Sequence, residues 1–114
     1  MKLTASWQFR KVYGRGDKLV GEYAVIFYYR NPEEKEGPRI GVVASRRVGS
    51  AVERNRAKRL LREAAGSLTG KLNHPDIWIV LVAKSNIRGR TSEEVVGDVG
   101  RAMEIAGLAA RAQS

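Results

Sequence analysis

The chain has 114 residues, 43% hydrophobic and 29% charged, which suits one small folded domain over residues 1–114 and leaves disorder out. Lys and Arg number 21 against 12 Asp and Glu, a net charge of +9, so a polyanion is the expected partner. The absence of cysteine and a single histidine, His74, exclude disulfides, thiol chemistry and a His-based metal site.

No apolar run approaches the ~20 residues of a membrane span, and MKLTASWQF lacks the apolar stretch of a secretion signal. The expectation is a cytoplasmic protein without a membrane partner. Ser6 is placed to cap a short helix running to about Tyr13, with Phe9, Val12 and Tyr13 on one face and Gly14 and Gly16 ending it. From Leu19 to Tyr29 the pattern is that of a strand. Tyr23, Val25, Phe27 and Tyr29 point one way; Ala24, Ile26 and Tyr28 point the other. NPEEKEGP, residues 31–38, is a polar turn suited to a hairpin or a longer connection, and Arg39 to Ser45 returns as a strand. A helix from about Ser50 to Leu68 carries one apolar stripe: Ala57, Leu60, Leu61, Ala64, Ala65 and Leu68. DIWIVLVA, residues 76–83, reads as a strand buried on both faces. Thr91 and Glu94 form a capping box for a last helix reaching about Ala110. Strand, helix and strand make a βαβ crossover, with helices over one face of the sheet and Trp7 and Trp78 in the core.

The cations concentrate on the middle helix. Residues 46–63 hold seven basic and two acidic side chains, a net of +5. At about 100° per residue, Asn55, Arg59 and Arg62 lie opposite the apolar stripe, Lys58 stands beside them, and Arg54 and Arg56 fall on its two flanks. Arg46 and Arg47 precede the helix and add to the patch. Four arginines against one lysine within the helix favour bidentate phosphate contacts. Asn55 can read a sugar hydroxyl or a base edge. A helix laced with salt bridges is the plain alternative, but only Glu53 and Glu63 are at hand to pair. A membrane-surface helix wants larger apolar residues than the alanines here. A DNA-reading helix-turn-helix fails because strands, not a second helix, flank this one.

The aromatic residues leave two readings open. Phe9 and Tyr13 on the first helix, with Phe27 from the strand, either pack the core or line a partly open cleft that stacks unpaired bases. Arg10, Lys11, Arg15 and Lys18 nearby suit a site close to phosphate. There is no nucleophile beside a base, no metal cluster and no phosphate-loop pattern, so no catalytic residue and no small-molecule substrate are expected.

RIGVVASRRVGSAVERNRAKRLLREA, residues 39–64, resembles the signature of the protein subunit of bacterial ribonuclease P. The matching parts are Arg46-Arg47, Gly49, Ala51-Val52, Arg54-Asn55-Arg56, Lys58-Arg59 and Arg62-Glu63. FRKVYGRG at residues 9–16 and the strand ending Val82-Ala83-Lys84 are similar to that family too. The resemblance implies an α+β fold, a single α-β-β-β-α-β-α two-layer sandwich with a left-handed split βαβ crossover. It implies a subunit of the endoribonuclease that removes the 5′ leader from precursor transfer RNA, in which the RNA subunit and Mg2+ carry catalysis. Arg46, Arg47, Arg54, Asn55, Arg56, Lys58, Arg59 and Arg62 would bind the catalytic RNA; Phe9, Tyr13 and Phe27 would line the leader cleft. The alternative is an RNA-binding module with no enzyme attached, such as a ribosomal protein of similar fold.

Overall fold

Alternating side chains build the sheet and periodic stripes build the helices. The computed structural model describes residues 2–110. In chain order the elements are α1 (Ser6–Arg15), β1 (Asp17–Val20), β2 (Ala24–Arg30), β3 (Arg39–Val43), α2 (Ala51–Leu68), β4 (Ile77–Ala83) and α3 (Ser92–Ile105). Ser6 is the first helical residue rather than the cap. Ala5 takes the cap position, and the Gln8 side chain reaches back to accept from the Thr4 and Ala5 N–H groups at 2.9 and 3.0 Å. Thr91 and Glu94 form the expected capping box. The last helix stops at Ile105, short of Ala110, where the backbone turns left-handed at Gly107 (φ 76).

The sheet order is β1-β2-β4-β3. β2 runs antiparallel to β4, and β3 runs parallel to it. The continuous apolar run of β4 thus occupies an interior position, where both faces need cover. NPEEKEGP is not a hairpin: β4 lies between the strands it joins. Glu34 ties that connection down. Its carboxylate accepts from the Trp78 indole N–H at 2.8 Å and from the Arg39 guanidinium. Burial works against ionisation there, but Arg39, the Glu36 N–H and Trp78 hold the carboxyl at about 2.

α2 and α3 cover one face, packing Leu61, Ala64, Val95, Val99 and Met103 on Ile26, Ile79 and Leu81. α1 does not join them. It lies on the opposite face, where Val12 and Leu3 meet Trp78 and Val80. Trp7, expected in the core, is 53% exposed. Two residues before Phe9 is about 200° round the helix, so both cannot face the sheet. Trp7 instead tilts against Trp78 with ring centroids 5.7 Å apart.

Register fixes the hand of the β3–α2–β4 crossover. The Lys84 N–H donates to the Tyr23 carbonyl at 2.9 Å, so by the period of two Phe27 and Val80 also form a hydrogen-bonded pair. Val80 points its side chain to the α1 face. For L-residues in an ascending strand, a side chain toward the viewer sets its own N–H and C=O to the right. β2 is therefore right of β4 from the α1 side, and β3 right of β4 from the α2 side. The chain ascends β3, returns in front as α2 and ascends β4 on the left. That is a left-handed crossover, against the general preference.

Candidate nucleic-acid interface

The N-terminus of α2 is built by Ser50 and Glu53, each accepting from the other's backbone N–H, at 3.2 and 3.0 Å. Those bonds from Ser50, with the charge of Arg88, hold the Glu53 carboxyl below the usual carboxylate range. Gly49 makes the box possible. Its φ is 141, and an added Cβ would sit 2.3 Å from Glu53 Oε1.

Beyond this cap the cations spread as the helical wheel requires. Asn55, Arg59 and Arg62 are exposed; Arg54, Arg56 and Lys58 are half-buried. Both acids of the helix are engaged elsewhere. Glu53 pairs with Arg88 at 3.7 Å, and Glu63 accepts from the Ser92 hydroxyl. Among the described residues, no ion pair involves a cation of α2. Arg46 and Arg47 are exposed in the turn between β3 and α2. Arg62 and Lys2 both border a groove of about 620 Å³ between α2 and β3, so the N-terminal segment adds its charge to the same side.

The aromatic residues meet on the other face. Tyr13 and Phe27 touch edge to face, centroids 4.9 Å apart at 87°. Tyr13 remains 43% exposed, and its partial burial pushes the hydroxyl pKa up. Phe9 is half-buried over β3 because residue 41 is glycine: an added Cβ there would lie 2.7 Å from Phe9 Cζ. Beside these rings, register aligns Val20, Val25, Val82 and Val43 in one row across all four strands. Val20 is 66% exposed at one end of the row, and Val25, Val82 and Val43 are half-buried. Lys18 stands opposite Phe27 and shares its face. The result is an open apolar trough with α1 as its wall and a cation at its lip. Sequence reasoning missed the valine row and Gly41. A lone glycine inside a strand was the available signal, since it marks close approach by another group.

A family model, Ribonuclease P, matches residues 1–107. The chain belongs to the ribonuclease P protein family. The ribonuclease P protein component of Clostridium novyi is 31% identical over 105 residues, covering 89% of this chain and 88% of the relative. That of Syntrophomonas wolfei is 34% identical over 111 residues, covering 96% and 90%. The fold is similar to the Staphylococcus aureus RNase P protein, with TM-score 0.81 at 21% identity over 94% of this chain and 95% of that one. It is also similar to the Thermotoga maritima RNase P protein, with TM-score 0.74 at 22% identity over 100% and 99%. The resemblance carried by residues 39–64 is thereby borne out. The α-β-β-β-α-β-α order and four-stranded mixed sheet found here match the solved RNase P proteins.

Proposed function

We propose that this chain serves as the protein component of a ribonuclease P that removes the 5′ leader from precursor transfer RNA. One observation carries the reading: the outward arc of α2 presents cations that, among the described residues, no acid pairs with. Like charges on one helix repel, and a phosphate backbone supplies the missing counter-charge. In this reading Asn55, Lys58, Arg59 and Arg62, with Arg46 and Arg47, face the catalytic RNA. The trough of Phe9, Tyr13 and Phe27 takes the leader. Stacking tolerates any base, which suits a leader of variable sequence.

The described residues gather no ready site for magnesium. Among the described residues, no three His, Cys, Asp or Glu side chains converge. We assign the ion to the RNA subunit and the substrate phosphates, and the protein's share of the work is binding and orientation.

The test is reconstitution. At a magnesium concentration too low for the RNA subunit alone, adding this protein should restore cleavage of precursor transfer RNA. RNA-free protein should cleave nothing. Failure to stimulate a cognate RNA subunit would favour a plain RNA-binding module.

A further inference from the structure

The Arg-Asn-Arg triplet is divided in its contacts. Arg56 Nη2 donates to the Arg90 carbonyl oxygen at 2.6 Å, joining residues 34 apart in sequence. Two more contacts run between α2 and the same segment. Arg88 pairs with Glu53 at 3.7 Å, and the Ser92 hydroxyl donates to Glu63. Three points along α2, at Glu53, Arg56 and Glu63, are thus tied to the chain entering α3. That chain is itself held. The Arg90 guanidinium lies 3.4 Å from Glu94 and 5.9 Å over the Tyr23 ring, and the Tyr23 N–H donates to the buried Asp98 at 2.9 Å. The flank position of Arg56 explains the reach: a side chain beside the apolar stripe is directed at the neighbouring helix entry, not outward. Asn55, Arg59 and Arg62 have no such partner among the described residues.

We infer that Arg56 is a positioning residue. It fixes how α2 is rotated against the entry to α3 and so aims the line Asn55–Arg59–Arg62 at the RNA, without neutralising a phosphate itself. A guanidinium already satisfied by a carbonyl and half-buried gives up that bond to reach a phosphate, whereas Arg59 gives up nothing. This rests on the proposed RNA-binding role of α2, and the experiment separates the two.

Affinity for the RNA subunit is measured across a salt series for wild type, Arg59→Ala and Arg56→Met. Arg59→Ala should flatten the log–log slope by roughly 0.7–0.9, as one lost phosphate contact does. An unchanged slope there counts against α2 as the RNA face, and the inference about Arg56 falls with it. Arg56→Met should lower affinity roughly tenfold at every salt concentration, with the slope of wild type. Amide hydrogen exchange at residues 88–92 should speed up in the folded variant. A slope flattened as in Arg59→Ala would make Arg56 a direct phosphate contact and overturn the inference. So would a folded variant of unchanged affinity. Arg56→Lys keeps a donor on a stem of similar length, so it should restore affinity and slow exchange again. Arg56→Gln, which removes the charge and keeps an N–H donor, carries the slope test if Arg56→Met does not fold, with the wild-type slope expected and a flattened one overturning the inference.

Discussion

Tyr13 sits with its edge against Phe27 and much of its surface in solvent, so its two possible roles separate cleanly. Truncation to alanine loses one edge-to-face contact, about 0.5–1.5 kcal/mol, together with the partial burial of a ring left 43% exposed, and so costs less than the ~3–5 kcal/mol of a fully buried aromatic. The fold and assembly with the RNA subunit should survive. The preference of the assembled enzyme for precursor over mature transfer RNA should fall by about 1–3 kcal/mol, the worth of one stacked base. An unchanged preference in a folded variant would mean the rings are core and nothing more. Glu34 gives a prediction in pH. Its folded pKa lies below the ordinary value of 4.5, at about 2, so its contribution is present above 4.5 and disappears as pH falls toward 2. Glu34→Gln should lower the melting temperature at neutral pH and remove part of the melting-temperature loss between pH 4.5 and 2. Thermal melts at several pH values check both. These single residues differ in how far the sequence exposed them. Phe9 and Tyr13 share a face by spacing alone. Glu34 did not announce itself, because its partners are Arg39 and a tryptophan 44 residues away.

Helix α2 was the most legible element. Its stripe, its length and its exposed arc all follow from periodicity, because one face packs and the other does not. What periodicity cannot supply is where a flanking side chain ends up. Arg54 and Arg56 both return to backbone carbonyls, of Gly49 at 3.4 Å and Arg90 at 2.6 Å. Strand order was equally hidden. Nothing local in NPEEKEGP says that β4, still far along the chain, will take the place beside β2. At this scale two substitutions are informative. Arg62→Ala should weaken RNA-subunit binding and flatten its salt slope by roughly 0.7–0.9, with the melting temperature nearly unchanged. Gly49→Ala should destabilise the protein by about 1–3 kcal/mol, since it strains a left-handed backbone position and displaces the Glu53 carboxylate from its cap. Chemical denaturation of the two variants should rank them in that order.

At the scale of the whole molecule, the family resemblance supplied the left-handed crossover, and the general rule would have given the opposite hand. The same sheet divides the protein into two chemically distinct sides, because α1 lies on one face and α2 on the other. The division has a thermodynamic consequence. Tyr13 and Arg59 share no partner and are separated by the thickness of the sheet, so neither can sense the loss of the other through direct packing. In a double-mutant cycle on precursor transfer RNA binding to the assembled enzyme, the losses from Tyr13→Ala and Arg59→Ala should add to within about 0.5 kcal/mol. A larger interaction term would mean that the RNA, bent round the edge of the sheet to touch both sides, is itself the rigid body that couples them.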